Sequence, residues 1–249
     1  MGNKSSPTAV VIIIGNEILF GRTQDANLSF LGKRFDELGI VLKQAIIIPD
    51  VEEKIIAAVN ESRHEVDYVF TTGGIGPTHD DITTMSVAKA FGIEVERNQE
   101  AVDAMNKYYE PGKLNEARLK MADIPKGATL IDNPISGAPG IQIENVFVFP
   151  GVPLITQAMF DGMTDRLVGG LPVLTENIAT NLTEGTLAEG LGKIQDRYDD
   201  VSIGSYPYFK KGKLGVNLVM RSTDQVRLDN AGNEIDDLIK DLNGQILNK

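Results

Sequence analysis

Short apolar runs rich in β-branched residues alternate with amphipathic helical stretches along the first two thirds of the chain, and this alternation constrains the fold more than any other feature. Residues 10–14 are a continuous Val/Ile run, read as a central strand buried on both faces. The next stretch places Leu28, Leu31, Phe35 and Leu38 at helical spacing and stops at Gly39, a residue suited to a helix C-terminus. Residues 41–48 return as a strand, a helix from Glu52 carries Ile55, Ile56 and Val59 inward, and residues 66–70 form a third strand. Strands separated by helices imply a parallel or mostly parallel sheet with both faces covered, a doubly wound α/β layout.

In such sheets ligands bind at the C-terminal ends of the strands. That rule selects residues 15–27 after the first strand, with Gly15, Glu17, Asp25 and Asn27, then Asp50 after the second, and the glycine-rich segment 71–81 after the third. Asp50 also has the bland reading of an ordinary helix-start residue. Further on, residues 133–140 precede a strand, and the apolar run 146–149 leads into Pro150, Gly151, Val152 and Pro153. Both are candidate site loops.

The segment after the third strand reads Thr71-Thr72-Gly73-Gly74-Ile75-Gly76-Pro77-Thr78-His79-Asp80-Asp81. Bare glycine amides at a strand-to-helix turn suit a phosphate, yet Asp80 and Asp81 bring two negative charges to the same turn. A hard divalent cation such as magnesium, bridging carboxylate and phosphate oxygens, removes the conflict. The competing structural reading is a plain turn in which Asp80 or Asp81 caps the next helix. The third glycine of a dinucleotide fingerprint is missing and no Walker-type Gly-Lys-Ser/Thr loop occurs. Gly74 is read as a position where backbone approaches the ligand.

The chain of 249 residues and 27.0 kDa can bury a substantial core in one large and one small domain. Its 35 acidic against 24 basic residues give a formal net charge of -11, which opposes non-specific nucleic-acid binding and attraction to membrane surfaces. No apolar run approaches the roughly 20 residues needed to span a bilayer. Cysteine is absent, which is compatible with a cytoplasmic protein. Residues 1–8 read as a flexible tail, although Met1-Gly2 with Ser6 matches the minimal myristoylation pattern.

Together, the run Ile14-Gly15-Asn16-Glu17-Ile18-Leu19-Phe20-Gly21-Arg22-Thr23-Gln24-Asp25-Ala26-Asn27, the block from Gly73 to Thr83, the loop from Asn133 to Gly140 and the turn from Pro150 to Pro153 resemble the amino-terminal region of the competence/damage-inducible protein CinA. That region belongs to the wider molybdopterin-binding, MoaB/Mog-like family. The resemblance extends from about Val10 to about Leu167, and the Gly-Gly-x-Gly-Pro-Thr-x-Asp-Asp block is its most specific element. It implies a three-layer α/β domain with a mostly parallel sheet, over residues 9–170, that binds a phosphorylated pterin or a nucleotide. It also implies relatives that hydrolyse the pyrophosphate bond of ADP-ribose or FAD with a divalent metal, and a symmetric homo-oligomer, most simply a dimer.

Carried over by motif, the resemblance puts Asp50, Gly73, Gly74, Gly76, Pro77, Thr78, Asp80 and Asp81 at the pocket, with Ser136, Gly137, Ala138, Pro139 and Gly140 on its other wall. Asp80 and Asp81 are the metal ligands, and Asp50 joins them as a catalytic carboxylate; Glu17 is a possible further ligand. Two departures stand out: the family's Gly-Thr pair in the later loop reads Ser136-Gly137 here, and its charged Arg-Glu pair reads Leu154-Ile155. Residues 171–249 read as strand, helix, strand, strand, helix, a small α+β domain whose last helix begins at Asp224 or Asp229. Its Gly204-Ser205-Tyr206-Pro207 stretch resembles CinA-like proteins and a domain of eukaryotic FAD synthases. The carboxy-terminal nicotinamide mononucleotide deamidase domain of many relatives has no room here, so deamidase activity is expected to be absent.

Three functions fit these residues. The first is metal-assisted attack of water on a nucleotide pyrophosphate, with the Gly73–Gly76 amides cradling a phosphate. The second is a catalytically silent pterin- or nucleotide-binding domain with a regulatory role, and the third is adenylyl transfer to molybdopterin. His79 beside Asp80 is a possible proton-transfer group, His64 reads as a solvated helix residue, and Met105, Tyr108 and Tyr109 read as helix packing.

Overall fold

A computed structural model describes residues 6–210 and 212–248, which divide into one unit ending at Gly170 and a second beginning at Leu171. The Gly2 pattern and the first five residues of the expected tail lie outside the described residues. In the first unit the order is β1 (Thr8–Ile14), α1 (Asn16–Leu19), α2 (Asn27–Leu38), β2 (Val41–Ile48), α3 (Glu52–Glu65), β3 (Tyr68–Thr72), α4 (Thr83–Phe91), β4 (Val95–Arg97), α5 (Gln99–Asn106), α6 (Glu116–Leu119), β5 (Asp123–Pro125), β6 (Thr129–Ile131), β7 (Gly140–Ile143), β8 (Val146–Phe149) and α7 (Pro153–Asp161). A 3-10 turn at Lys120–Ala122 joins α6 to β5.

The main sheet has the order β2-β1-β3-β8-β7-β6. Its first four strands are parallel, and β7 and β6 add an antiparallel edge. Successive residues of β1 feed opposite faces, as the period of two requires. Val10, Ile12 and Ile14 pack with Ile55 and Val59 of α3 and Val87 of α4, whereas Ala9, Val11 and Ile13 pack with Leu31 and Phe35 of α2 and Met159 and Phe160 of α7. The second face is aromatic: Phe70 stacks on Phe147 with ring centroids 5.0 Å apart and meets Phe35 at the same distance. Helices thus cover both faces of a mostly parallel sheet, the α/β layout expected from the sequence.

Three strand boundaries differ from the sequence reading, the start of β1 and both ends of β3, which begins at Tyr68. β1 starts at Thr8, because its amide and hydroxyl both donate to Asp67 Oδ2, at 2.7 and 2.8 Å. These bonds hold the Asp67 carboxyl below the usual carboxylate range, the amide bond from Thr8 being the larger cause. β3 runs two residues further than expected, through Thr71 and Thr72. Both are β-branched and fully buried, so strand geometry suits their backbones while leaving one buried hydroxyl on each face of the sheet.

The second unit comprises β9 (Leu174–Thr180), α8 (Glu184–Arg197), β10 (Ser202–Lys210), β11 (Lys213–Ser222), α9 (Gln225–Asp241) and β12 (Ile246–Asn248). Its sheet is antiparallel, in the order β10-β11-β9-β12, over a core that includes Ile178, Leu187, Leu218, Met220, Ile235 and Ile239. Asp224 starts α9: its carboxylate accepts the amides of Val226 and Arg227 at 2.9 and 3.1 Å. Pro207 falls on β10, an edge strand, where a missing amide costs no ladder bond.

Candidate functional site

The four parallel strands end along one edge of the first unit, and their C-terminal loops meet there. The Gly15 amide donates to the Ile48 carbonyl at 3.2 Å, and the Asn16 amide donates to Asp50 Oδ2 at 2.8 Å. Asp50 therefore ties the end of β2 to the loop after β1 and does not cap α3. Asn27 is buried at the start of α2; its Nδ2 donates to the Gly151 carbonyl at 2.9 Å, joining the loops after β1 and β8. Asp25 spends one oxygen on the Leu28 amide at 2.8 Å, a helix-start bond, and Glu17 is exposed with its carboxylate folded over Gly15.

Gly73 sits at the centre of this edge with φ 101, and its amide donates to the Phe149 carbonyl at 3.0 Å. A Cβ there would overlap the Ile14 carbonyl, so both the dihedral and the space demand glycine. Gly74 has φ 67, and a Cβ on it would run into the Thr83 hydroxyl at the start of α4. Its first constraint is thus the closeness of α4, and a bulky side chain would disturb the turn itself.

The acidic end of the turn is organised by Thr78. Its amide donates to Asp81 Oδ2 at 2.9 Å, and its hydroxyl lies 2.5 Å from Asp81 Oδ2 and 2.6 Å from Asp80 Oδ1. One hydroxyl proton serves only one carboxylate at a time. Two acids are thus gathered on one hydroxyl, and the bond from Thr78 holds the Asp80 carboxyl below its usual range. Neither acid caps α4. The Asp81 carboxylate lies over Gly76, where a Cβ would come within 2.6 Å of its Oδ2. Pro77, Thr78, His79 and Asp80 are exposed.

Four buried side-chain oxygens at or near this edge lack a hydrogen-bond partner among the described residues: Thr71 Oγ1, Thr72 Oγ1, Thr83 Oγ1 and Asn27 Oδ1. Each such group costs on the order of 1–3 kcal/mol when nothing satisfies it. They gather where β1 and β3 end.

The loop before β7 reaches the same edge of the sheet, because β7 runs antiparallel to β8. The buried Asn133 shapes it, donating to Ser136 Oγ at 2.8 Å and to the Ala138 carbonyl at 2.7 Å while accepting the amides of Ile135 and Ser136 at 3.1 Å. Gly137 takes φ 75, and a Cβ on it would strike the Tyr108 ring. Of the three residues assigned to helix packing, Met105 is fully buried, but Tyr108 is 47% exposed and flanks this loop. Gly140 has a packing role, since a Cβ would lie 2.5 Å from the Val148 carbonyl oxygen. Pro139 is buried beside it.

Sequence reasoning missed a cation. Lys120 donates to the carbonyls of Thr78 and Asp81 at 2.5 and 2.8 Å. It also lines a cavity of about 260 Å³ with Ile75, Gly76, Asp81, Thr84, Met85, Met121 and Asp123. Nothing in the local pattern around Lys120 announces a partner about forty residues away. Asp50, by contrast, does not join the two acids: its Oδ1 lies 3.5 Å from where a Cβ of Gly74 would be, and no group of three or more acidic or histidine side chains converges among the described residues. Asp80 and Asp81 form an all-oxygen pair, the donor type a hard cation takes, and magnesium commonly uses one or two carboxylates with phosphate oxygens and water filling its octahedron.

The sequence profile of a family described as probable molybdopterin binding domain matches residues 10–169. The chain belongs to this molybdopterin-binding domain family. A second profile, the middle domain of FAD synthase, matches residues 172–245. The chain is similar to a protein of Pyrobaculum calidifontis, 36% identical over 212 residues, which are 81% of this chain and 81% of that protein. It is also similar to a probable FAD synthase of Caenorhabditis briggsae, 33% identical over 232 residues; these cover 82% of this chain but 44% of the nematode protein. Among solved structures, the protein CinA of unknown function from Thermoplasma acidophilum has a TM-score of 0.62 and 33% identity, covering 66% of this chain and 99% of the other. The glycine turn at Gly73, Gly74 and Gly76 lies within the matched residues. No helix among the described residues is long and apolar enough to cross a membrane.

Proposed function

We propose that the first unit binds a phosphorylated pterin or nucleotide at the C-terminal edge of its sheet and hydrolyses the pyrophosphate bond of a dinucleotide of the FAD or ADP-ribose type. The observation that carries the reading is the set of buried, unpartnered oxygens of Asn27, Thr72 and Thr83 around Gly73 and Gly74. A ligand's polar atoms satisfy such groups, and the glycine turn leaves room for a phosphate. Asp80 and Asp81 would hold a divalent ion together with the ligand's phosphate oxygens; when bound, such an ion polarises the phosphoryl group. The chain's own contribution is to gather the two carboxylates on Thr78, to orient the phosphate against the turn, and to present the Tyr108 face beside Ser136 and Gly137 for a flat ring system. The similarity to a probable FAD synthase and to its middle domain supports a flavin or adenine dinucleotide over a free pterin.

A second reading, a catalytically silent binding domain, is favoured by the absence of a third converging carboxylate among the described residues. Incubation with FAD or ADP-ribose, with and without magnesium, separates the two: release of mononucleotides marks the enzyme, and calorimetric binding without release marks the silent domain. Absence of both binding and release removes the reading altogether.

The buried hydroxyl gives a sharper test. Thr83→Val keeps the shape of the side chain and removes an oxygen that has no protein partner. Its melting temperature is expected to equal or exceed that of the unaltered protein, while ADP-ribose affinity falls about tenfold, the worth of one hydrogen bond to a charged group. A large loss of stability would show that the hydroxyl serves the fold.

A further inference from the structure

We infer that Lys120 is the resident counter-cation of the acidic turn, and that it sets the affinity of this edge for anionic, phosphate-bearing ligands. Its Nζ bridges the carbonyls of Thr78 and Asp81, the two ends of the segment that carries both acids. The Thr78 carbonyl is shared with the Asp81 amide at 3.3 Å, so one ammonium and one backbone bond close the same short turn.

Charge bookkeeping explains why a lysine belongs there. Asp80 and Asp81 give the turn two negative charges, and Lys120 leaves one. A divalent ion on the two acids would make the loaded turn singly positive with Lys120 but only neutral without it, and only the positive turn attracts a phosphate by charge. Of the two carboxylates lining the cavity beside Lys120, Asp123 is already paired with Arg97, Nε to Oδ1 at 2.5 Å. Asp81 is the other. The remaining charged neighbour, Asp80, also feels the positive charge of Lys120. Lys120 is half-buried and tied down by its two carbonyl partners, so it is held at the turn as a free surface lysine is not. Two of its three donors are used on the carbonyls, and the third is available to the cavity side.

Lys120 is therefore a positioning and charge-balancing residue supplied by the segment that carries α5, α6 and β5, distant in sequence from the turn it serves. The inference rests on the proposed phosphate site. It predicts that ligand affinity, more than the chemical step, depends on this side chain.

The test uses the full chain with ADP-ribose and magnesium as the probe, comparing wild type, Lys120→Gln, Lys120→Met and Lys120→Arg. Lys120→Gln retains a hydrogen-bond donor without the charge and guards against a variant that simply fails to fold, which a thermal melt checks. Lys120→Gln and Lys120→Met are expected to weaken binding about ten- to a hundredfold, the scale of one unit charge acting over a few ångströms at the protein surface. Their affinities should vary less with salt than that of wild type, KM should rise far more than kcat falls, and Lys120→Arg should restore most of the affinity. Wild-type affinity and salt dependence in folded Lys120→Gln overturn the role of Lys120 while leaving the site standing. If wild type itself takes no ADP-ribose, the proposed site falls and this inference with it.

Discussion

Asp81→Asn is expected to leave the turn folded and to lower pyrophosphate hydrolysis by at least about a hundredfold, the range of several kcal/mol that a polarising metal supplies. The structure makes this a clean substitution. Asp81 Oδ2 accepts the Thr78 amide and hydroxyl, and an asparagine oxygen can accept both. What disappears is one of the two charges gathered on Thr78, and with it the hard, anionic oxygen that a divalent ion requires. The melting temperature should move little, because the turn is largely exposed. Full activity of Asp81→Asn in chelator-treated protein would remove both the metal and the carboxylate from the account.

The largest loss of stability is expected for Gly73→Val. Gly73 has φ 101, a conformation that costs a β-branched residue on the order of 1–3 kcal/mol, and its added side chain would overlap the Ile14 carbonyl on the neighbouring central strand. Relief would require β1 and β3 to separate where they pair, Ile13 with Thr72, and overpacking of this kind adds a further 1–3 kcal/mol or so. A combined loss of about 3 kcal/mol or more should appear as a large drop in the midpoint of denaturant unfolding, with ligand binding lost in the same variant. A wild-type midpoint would show that the turn is free to rearrange.

What the sequence disclosed follows from the range of the interactions involved. The core strands of the first unit were legible because a buried parallel strand is an unbroken apolar run, as at residues 10–14. The end of β3 was not, since Thr71 and Thr72 look polar in sequence while their branched Cβ atoms favour the strand. The segment between α4 and β7 escaped for a different reason. β4, β5 and β6 are three residues each, too short for a period to show, and β4 and β5 make their own two-stranded sheet. Lys120 and Tyr108 come from that segment, so neither could be assigned from local pattern. The turn itself was legible because its glycines and acids are contiguous. The position of Asp50 was not, because its partner is the backbone of Asn16 at the start of α1.

Hydrogen–deuterium exchange in the presence of ADP-ribose and magnesium tests the central claim most directly, because it reports where a ligand sits as well as whether one binds. The account predicts slowed exchange at Gly73 to Asp81 and at Asn133 to Gly137, with the second unit unchanged. Binding with protection confined to the second unit, for example to the open groove of about 580 Å³ lined by Thr175, Glu176, Asn177, Asp229 and Gly232, would contradict it.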